Sequence, residues 1–520
     1  TINDRSVSVA EGSTILDAAV KLGIHIPTLC HINGCTPNTT CMICTVHELN
    51  RDSLILSCVM PAEDGMRIET DNEKVRESRK DTLDLLLSEH VGDCEAPCRR
   101  ICPAGMNIPL MIRQIKENDL EKAIITVKKD IALPAVLGRI CPAPCENGCN
   151  RKYYDSPVSI CALKRFAADI DLSEESPYRP ETKPHSVKKA AIIGAGPAGL
   201  SAAYYITRFG HDCTVFDSNA KPGGLLRDGV PDDKLPKSVL DAEIEQILAL
   251  GVKMRQEQTL GRDFSMDDLR DEFDAVVIAF GKTDENLIAG SGIDCTSRGI
   301  TVDRNTYETS AEGIFAGGNA VSEGKMAIRS AAHGKFIAHS VDQYLTGSTV
   351  TGAPQKFNSV MGKLQAGETN EFIKEADESD RIAPDGGFES GYSHDEAVKE
   401  SGRCFHCDCR KPESCRLRQY SDEYGAEQKR YKFGERKPFE KIVQHELVIF
   451  EHGKCIKCNI CVEITKKAGE KFGFTFAGRG FNVRLIVPFN ESLENGLMKT
   501  AKECIKSCPT GALGGRAPGH

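Results

Sequence analysis

The residues best suited to chemistry in this sequence are its 23 cysteines, most of which fall into four groups. The groups span residues 30–58, 94–161, 404–415 and 455–508, and many neighbours are separated by only two or three residues. Such short gaps suit thiolates that converge on one metal centre. Disulfides are the alternative, but a disulfide framework is typical of short secreted chains. The pattern therefore predicts metal ligation.

The first group has the spacing Cys30-x10-Cys41-x2-Cys44-x13-Cys58, which supplies the four thiolates of a [2Fe–2S] centre. The plant-type spacing would use Cys35 and position 38 instead, but residue 38 is Asn, so we interpret Cys35 as a spare thiol. Zinc on the same four cysteines is the alternative. Zinc sites favour paired C-x2-C units, and only one such pair occurs here.

With Pro27-Thr28-Leu29 before Cys30, this segment resembles the [2Fe–2S] domain of the large iron–sulfur subunit of respiratory complex I and of iron-only hydrogenases. The resemblance implies a β-grasp [2Fe–2S] ferredoxin domain over residues 1–78. The apolar pattern predicts a helix over Thr14–Leu22 with Ser13 as its N-cap, beside short strands at 7–9, 54–57 and 66–68.

The second group reads Cys94-x3-Cys98-x3-Cys102-Pro103, then Cys141-x3-Cys145-x3-Cys149 and finally Cys161. Between its halves, apolar residues recur near every 3.6 positions from Pro109 to Lys128, which predicts one helix with a core-facing side. The arrangement resembles the helical domain of the glutamate synthase small subunit and of dihydropyrimidine dehydrogenase. The resemblance implies an α-helical domain over residues 79–172 that holds two [4Fe–4S] clusters.

By that resemblance, one cluster is bound by Cys102, Cys141, Cys145 and Cys149, and Cys94 and Cys98 contribute to the other. The second ligand set departs from the family pattern, since no further cysteine lies upstream for it. Two residues are candidates for completing it. Cys161 lies close to where the family has its unusual ligand, and His90 is similar in position to the histidine of a His-ligated cluster in the complex I subunit.

A strand, a G-x-G-x-x-G turn and a helix are predicted in series over residues 190–208. The glycines Gly194, Gly196 and Gly199 permit a tight turn and leave a helix N-terminus for a pyrophosphate. Asp217 ends the next strand 18 residues after Gly199, where an acidic side chain hydrogen-bonds the adenosine ribose. Together these features predict a Rossmann-like dinucleotide-binding domain.

Further glycine motifs resemble flavoproteins with two dinucleotide-binding domains, again the glutamate synthase small subunit, and imply FAD over residues 187–346. The site residues so implied are Gly194, Gly196, Ala198, Gly199, Asp217, Gly224, Leu225, Gly281, Gly318 and Asn319. Asn319 stands where the family normally has Asp. Relatives insert a second dinucleotide-binding unit before the last glycine motif, but only 35 residues separate Gly281 from Gly317 here. We therefore predict that the NAD(P)H domain is missing.

Residues 347–400 are rich in Gly, Ser, Thr and charge, and are predicted to be a connecting arm. The segment 401–425 then carries Cys404-x2-Cys407-x-Cys409-x5-Cys415, which could wrap a [4Fe–4S] cluster or a zinc ion.

The last group is Cys455-x2-Cys458-x2-Cys461, with Cys504 and Cys508-Pro509 beyond it. In bacterial ferredoxins the cysteine before Pro ligates the cluster of the other motif, which favours Cys508 as fourth ligand and leaves Cys504 as the competitor. Residues 440–520 resemble the ferredoxin-like region of the same complex I subunit.

Composition narrows the function classes. A net charge of −9 and a pI near 5.9 argue against a nucleic-acid partner. No run of about 18 apolar residues exists, so no membrane span is predicted. The sequence also lacks an apolar secretory signal at its start, and we expect a cytoplasmic protein.

The expected fold class is multidomain α/β, with FAD, one [2Fe–2S] centre and three to four [4Fe–4S] centres. These cofactors predict that the chain is an electron-transfer subunit of a hydrogenase, formate dehydrogenase or electron-bifurcating oxidoreductase. The expected partners are an NAD(H)- or FMN-binding subunit, a catalytic subunit and possibly ferredoxin. A self-sufficient NAD(P)H-dependent oxidoreductase and a zinc-bound scaffold are the alternatives. No catalytic constellation is apparent beyond the redox centres, so enzyme activity of the chain itself is left open.

Overall fold

The computed structural model describes residues 1–282, 287–288, 290–324, 326–432, 434 and 436–516. The chain divides into two compact units, each assembled from segments that are distant in sequence. Unit 1 comprises residues 1–96, 356–375 and 406–520, and unit 2 comprises residues 97–355 and 376–405. The end of the predicted 440–520 domain, at 517–520, lies outside the described residues.

Twenty α-helices lie within the described residues. None of the helices described is both long and apolar enough to cross a membrane. The helices are α1 (Ile15–Lys21), α2 (Glu73–Ser88), α3 (Pro97–Ile101), α4 (Ile108–Lys116), α5 (Leu120–Asp130), α6 (Pro134–Ile140), α7 (Pro144–Asn147), α8 (Ile160–Ser173), α9 (Pro197–Arg208), α10 (Leu225–Asp228), α11 (Lys237–Leu248), α12 (Met266–Glu272), α13 (Ala327–Leu345), α14 (Glu368–Ile373), α15 (Gly387–Ser390), α16 (His394–Gly402), α17 (Arg416–Glu423), α18 (Ile460–Lys467), α19 (Leu493–Gly496) and α20 (Ala501–Ser507).

The strands form five small sheets. They are β1 (Thr45–Glu48), β2 (Ser53–Leu56), β3 (Ile68–Glu69), β4 (Lys189–Ile193), β5 (Asp212–Phe216), β6 (Lys253–Arg255), β7 (Ala275–Ile278), β8 (Cys295–Thr296), β9 (Gly299–Ile300), β10 (Ile314–Ala316), β11 (Lys441–Ile442), β12 (Val448–Glu451), β13 (Thr475–Ala477), β14 (Arg484–Ile486) and β15 (Leu513–Gly515). The strand orders are β2-β1-β3, β10-β7-β4-β5-β6, β11-β12-β15, β13-β14 and β8-β9. Among the sheets described, only the five-stranded one is parallel.

The first helix of unit 1 differs from its prediction at the N-terminus. Thr14, not Ser13, is the N-cap of α1, because its Oγ1 accepts the N–H of Asp17 while the Asp17 carboxylate accepts the N–H of Thr14. This reciprocal pair satisfies two backbone donors that the helix leaves without an intrahelical partner. Residues 7–9, predicted as a strand, lie outside the strands described.

In unit 2 the predicted helix between Pro109 and Lys128 is two helices, α4 and α5. The break falls at Asn118, which adopts a left-handed φ of 59°. Asp119 then caps α5, since its side chain accepts the N–H of Lys122. Asn tolerates the left-handed region and Asp is a preferred N-cap, so the local sequence favours the break over a continuous helix.

The parallel sheet of unit 2 is buried on both faces. Ala190 and Ile192 of β4 pack into one hydrophobic cluster, while Ala191 and Ile193 pack into another on the opposite side. This alternation follows from the two-residue period of a strand, and burial on both faces is typical of parallel sheets. Helix α13 crosses α9 so closely that a Cβ at Gly334 would lie 2.2 Å from the Ala198 carbonyl oxygen.

The predicted connecting arm, 347–400, contains α14, α15 and the start of α16. Its first half supplies residues 356–375 to unit 1, and residues 376–400 belong to unit 2. The segment therefore contributes structure to each unit rather than serving only as a spacer. The other predicted domain limits stay predictions.

We expect Gly334→Ala to destabilise unit 2, because the added methyl group would force α13 away from α9. Overpacking of this kind costs about 1–3 kcal/mol. Thermal unfolding of the protein followed by circular dichroism would measure the loss. Arg329→Ala, an exposed position on the same helix, is the matched control and should leave the transition unchanged. Equal melting temperatures for G334A and the parent would contradict the tight crossing.

Candidate functional site

The glycine turn after β4 is fixed by close backbone contacts. A Cβ at Gly199 would lie 1.8 Å from the Gly194 carbonyl oxygen, and one at Gly194 would lie 2.5 Å from the Ala279 carbonyl oxygen. Gly196 is the N-cap of α9, which begins at Pro197. The turn therefore requires glycine, and it leaves the N-terminus of a 12-residue helix available to an anion.

Asp217 stands at the end of β5, as predicted, and its carboxylate braces this turn. Its Oδ2 accepts the N–H of Ala195 at 2.6 Å, and its Oδ1 accepts the N–H of Asn219 at 2.8 Å. The Nδ2 of Asn219 also donates to Oδ1, at 3.0 Å, so the free lone pair that could accept a ribose hydroxyl is on Oδ2. The ribose role stays a prediction.

Two further predicted residues meet the start of α9. A Cβ at Gly224 would lie 3.1 Å from the Cα of Gly196, and one at Gly318 would lie 2.9 Å from the Cβ of Ala198. Both glycines have left-handed φ values, 50° and 66°. The structure thus brings the turns at 224 and 318 to the helix that would hold a pyrophosphate.

The remaining predicted residues are placed less tightly. The Oδ1 of Asn319 accepts the N–H of Gly324 at 3.2 Å. Gly281 has a φ of 94° with open space at its Cβ position, and Leu225 is 64% exposed. His333, which the sequence did not single out, accepts the N–H of Gly318 at 3.2 Å through Nδ1. No sequence motif surrounds His333. It can be identified only from the structure, in which α13 brings it next to Gly318.

Among the described residues, no three His, Cys, Asp or Glu side chains are close enough to hold a single metal ion. The predicted [2Fe–2S] thiols instead form two neighbouring pairs. A hydrogen bond from the Cys41 thiol lowers the pKa of Cys30 to about 6, and one from the Cys58 thiol lowers the pKa of Cys44 to about 7. Negative charge on Cys30 also disfavours ionisation of Cys44, so the two pairs lie within electrostatic reach of each other.

A buried pocket in unit 1 joins residues that are distant in the sequence, from 87–94, 357–359, 409–418 and 511. Its imidazole and thiol side chains are His90, Cys94, Cys409 and Cys415, and Asp93, whose Oδ1 accepts the N–H of Met361 at 2.7 Å, also lines it. The Ser359 N–H donates to the Sγ of Cys94, and the Arg418 N–H donates to the Sγ of Cys415, each at 3.4 Å. The sequence grouped Cys94 with Cys98, and Cys409 and Cys415 with Cys404. The structure groups them differently, because Cys98 and Cys404 belong to unit 2.

His90 fits this pocket as a metal ligand. Its Nδ1 is buried and has no hydrogen-bond partner. Burial and the nearby Lys454 ammonium lower the pKa of His90 to about 3, so its imidazole is neutral. A neutral ring with an unpaired nitrogen among thiols is the form in which histidine binds a metal.

A second pocket in unit 1 is lined by Cys455, Cys458, Cys461 and Cys508. The Lys457 N–H donates to the Sγ of Cys455 at 3.4 Å. Cys504 is buried in the adjacent core but does not line this pocket. The arrangement favours Cys508 over Cys504, as the cysteine-before-proline rule predicts.

A third pocket, in unit 2, is lined by Cys102, Cys141, Cys145 and Cys161. Hydrogen bonds from the Cys141 and Cys145 thiols lower the pKa of Cys161 well below its usual value. The sequence placed Cys149 in this set. The structure places Cys161 there instead, because α8 brings its first turn against α6 and the turn at Cys141–Cys145.

A buried lysine lies beside the pocket that contains Cys94, and another lies beside the pocket that contains Cys102. The Lys454 side chain forms an ion pair with Glu451. Burial alone would lower the pKa of Lys454, but the nearby Cys409 thiol and the Glu451 carboxylate raise it. Lys164 donates to the Leu137 carbonyl oxygen at 3.0 Å and lies 3.9 Å from the Cys161 Sγ. Nothing in the sequence distinguishes these lysines from surface ones.

Three segments of the chain match models of known families. Residues 1–73 match a 2Fe-2S iron-sulfur cluster binding domain, and residues 79–176 match dihydropyrimidine dehydrogenase domain II, 4Fe-4S cluster. Residues 192–248 match an NAD(P)-binding Rossmann-like domain. The 2Fe–2S, 4Fe–4S and Rossmann-like domains predicted from the sequence are thereby confirmed.

Similar proteins are subunits of oxidoreductases. The subunit beta of the NADPH-Fe(3+) oxidoreductase of Geobacter sulfurreducens is 38% identical over 188 residues, which are 36% of this chain and 28% of the relative. The subunit beta of the NADP(+)-dependent formate dehydrogenase of Moorella thermoacetica is 39% identical over 220 residues, 38% of this chain and 31% of the relative. The glutamate synthase [NADPH] small chain of Mycobacterium tuberculosis is 34% identical over 216 residues, 41% and 42% of the two chains.

The chain spans less than half the length of these curated relatives. The similarity therefore concerns domains rather than a whole protein. The matched domains show that the chain is a multidomain α/β protein. It joins a 2Fe–2S domain, a 4Fe–4S domain and a Rossmann-like dinucleotide-binding domain in one polypeptide.

Proposed function

We propose that the chain is an electron-transfer subunit that relays electrons among iron–sulfur clusters and one FAD within a larger oxidoreductase. The observation that carries this proposal is the sharing of one hydrophobic core by three thiol sites of unit 1. Cysteines from all three sites lie in it, namely Cys30, Cys41, Cys415, Cys458 and Cys461. Sites packed around one core are near neighbours, which a relay of single electrons requires.

The proposed ligands of the [2Fe–2S] centre are Cys30, Cys41, Cys44 and Cys58. Three [4Fe–4S] centres are proposed, the first with His90, Cys94, Cys409 and Cys415, the second with Cys455, Cys458, Cys461 and Cys508, and the third with Cys102, Cys141, Cys145 and Cys161. Such clusters carry single electrons, while a flavin exchanges two and passes them on singly. The protein's part is to bury the thiolates and to place N–H donors and lysines beside them.

In unit 2 the third pocket lies beside the proposed flavin site. Ile328, in the first turn of α13, lines that pocket. Ser330, in the same turn, lies 3.8 Å from the position of a Cβ at Gly318. One helical turn therefore borders both sites, which supports electron exchange between this cluster and the flavin.

The partners we propose are an NAD(H)- or FMN-binding subunit and a catalytic subunit, with ferredoxin as a further electron carrier. The relatives support this because their names identify them as subunits. We also propose a cytoplasmic location, since a chain with 23 cysteines proposed mainly as cluster ligands suits a reducing compartment.

A self-sufficient NAD(P)H-dependent oxidoreductase is the second candidate. The match of residues 192–248 to an NAD(P)-binding model favours it. Against it, β7 and β10 pair directly, and the residues described between them form one short hairpin, β8–β9. That hairpin is too small to be a second dinucleotide-binding domain.

The two candidates differ in how the purified holoprotein responds to nicotinamide. We expect NADH and NADPH to leave the visible absorption of the clusters and flavin unchanged over minutes, whereas dithionite bleaches both. Restoring the co-purifying subunits should make reduction by their substrate rapid. Stopped-flow absorbance under anaerobic conditions measures both steps. Rapid bleaching of the isolated chain by NADH or NADPH would favour the second candidate.

Replacing His90 tests the ligand set of the first [4Fe–4S] centre. We expect His90→Ala to lose about four iron atoms per chain, together with one electron paramagnetic resonance signal. His90→Cys should retain the cluster with a midpoint potential lower by roughly 100 mV or more, since a thiolate replaces a neutral ligand. His25→Ala, an exposed position in the same unit, is the control. Unchanged iron content in both His90 variants would exclude His90 as a ligand.

Removing the Lys454 charge should lower the potential of that same centre. For a separation on the order of 7 Å and an effective dielectric constant near 20, Coulomb's law gives about 2 kcal/mol for a unit charge, on the order of 100 mV for one electron. We expect Lys454→Met to shift the potential by that order, and Lys454→Met/Glu451→Gln to shift it less, because the double variant removes a neutral pair. Potentiometric titration followed by electron paramagnetic resonance measures both. Equal shifts would show that the charge is not the cause.

A further inference from the structure

We propose that Arg416 couples the three thiol sites of unit 1, as a positioning residue whose guanidinium is hydrogen-bonded between them and whose charge acts on all three. The sites are the proposed [2Fe–2S] centre, which includes Cys30, and the first and second [4Fe–4S] centres, which include Cys415 and Cys508. Arg416 belongs to none of the ligand sets. The inference rests on the proposed electron-transfer function and adds to it a residue that links its centres.

The place of Arg416 in the chain ties it to the first [4Fe–4S] centre. Cys415 is the N-cap of α17, and its Sγ accepts the N–H of Arg418 at 3.4 Å. Arg416 is the first residue of that helix, so its backbone is held directly beside the ligand. Helical side chains lean toward the helix N-terminus, which here is the end that Cys415 caps.

The guanidinium of Arg416 reaches the other two sites. Its Nη1 donates to the Thr28 carbonyl oxygen at 3.1 Å, and Thr28 lies two residues before Cys30. Its Nη2 donates to the Ser507 carbonyl oxygen at 3.4 Å, and Ser507 is the residue before Cys508. The fork of a single guanidinium therefore joins the [2Fe–2S] loop to the segment that carries the last ligand of the second [4Fe–4S] centre.

Further bonds hold the same elements together. The Leu417 N–H donates to the Pro509 carbonyl oxygen at 3.2 Å, so the backbone at the start of α17 is also fixed to the segment 507–509. The [2Fe–2S] loop has its own bond to the second site, because the Nδ2 of Asn38 donates to the Lys457 carbonyl oxygen at 3.4 Å, next to Cys458. The elements that carry the three sites are thus bonded to one another around the start of α17.

The charge of Arg416 is not cancelled by a carboxylate. Among the residues that the structure describes, no Asp or Glu forms an ion pair with it, and the hydrogen bonds of its guanidinium go to carbonyl oxygens. Lys454, by contrast, is paired with Glu451. An arginine in a protein stays protonated. A full unit charge at this junction therefore acts on the thiolates and clusters around it.

A second cation lies on one side of the junction. Lys411 stands between Cys409 and Cys415 in the sequence, and its Nζ donates to the carbonyl oxygens of Ile505 and Cys508 at 2.6 and 2.8 Å. It therefore bridges the two [4Fe–4S] sites, and the bonds described for its ammonium do not extend to the [2Fe–2S] loop. This difference in reach allows the two cations to be told apart.

A cation shared by three centres sets their potentials together. Each electron added to a cluster adds negative charge, which a nearby cation stabilises, so the cation raises the potential of that centre. Because the same charge acts on all three centres, their potentials rise together and the differences between them change little. Small differences between neighbouring centres are what a relay of single electrons needs.

Replacing Arg416 tests the shared charge. We expect Arg416→Gln to lower the midpoint potentials of all three centres, and Arg416→Lys to restore most of that loss, because lysine keeps the charge without the fork. Arg51→Gln is the matched control, since it removes the same charge from an exposed position of unit 1 and should leave the three potentials unchanged. Anaerobic potentiometric titration of the holoprotein, followed by electron paramagnetic resonance, measures the shifts.

Replacing Lys411 gives a second, different pattern. Lys411→Met should lower the potentials of the first and second [4Fe–4S] centres and leave that of the [2Fe–2S] centre unchanged. His90→Ala and Cys458→Ser, which each remove one [4Fe–4S] signal, assign the signals to the two centres. The iron content of each variant reports whether its clusters are present.

Unchanged potentials in Arg416→Gln, or a shift confined to one centre, would overturn the proposal. Equal shifts in Arg416→Gln and Arg416→Lys would overturn it as well, because the charge would then not be the cause. If Arg416→Gln loses a cluster, Arg416→Lys and Lys411→Met still decide: the first must keep the potentials near those of the parent, and the second must separate the [2Fe–2S] centre from the other two. A holoprotein without iron would instead contradict the proposed function, so the two failures are distinguishable.

Discussion

His90 and Cys94 share a buried pocket with Cys409 and Cys415, although more than 300 residues lie between Cys94 and Cys409 in the sequence. The Cys409 N–H donates to the Cys94 carbonyl oxygen at 3.2 Å, so the two ends of this long excursion are held together. An unstructured excursion of that length would cost about 5 kcal/mol in loop closure. Because the excursion folds as unit 2, apart from residues 356–375, most of that entropy is already lost on folding.

A second constraint is the density of negative charge that thiolates and clusters bring into a low-dielectric interior. Buried lysine side chains, rather than solvent, offset this negative charge. Lys164 and Lys454 stand beside the third and first pockets, and Lys411 donates to the carbonyl oxygens of Ile505 and Cys508 at 2.6 and 2.8 Å, next to the second. Each lysine has hydrogen-bond or ion-pair partners of its own, which offsets the cost of its burial.

The Rossmann-like region shows how much a local pattern can specify. The strand, the glycine turn and the helix follow the sequence because each depends on neighbours within a few residues: Gly199 must clear the Gly194 carbonyl oxygen whatever else surrounds it. The same holds for Cys455, Cys458 and Cys461, whose spacing places them in one short segment that ends in the first turn of α18. The sequence was less reliable at Thr14 and Asn118, where side-chain capping and a left-handed backbone decide between close alternatives.

The sequence by itself determined the 2Fe–2S, 4Fe–4S and Rossmann-like domains, since cluster loops and glycine turns are local structures with characteristic spacing. Only the tertiary structure decided which distant thiols share a pocket. Cys161 rather than Cys149 joins Cys102, because helix packing sets that choice and spacing does not. His90 joins Cys409 and Cys415 for the same reason. Ligands contributed by separate elements meet only where the core brings those elements together, and no pattern along the chain encodes that meeting.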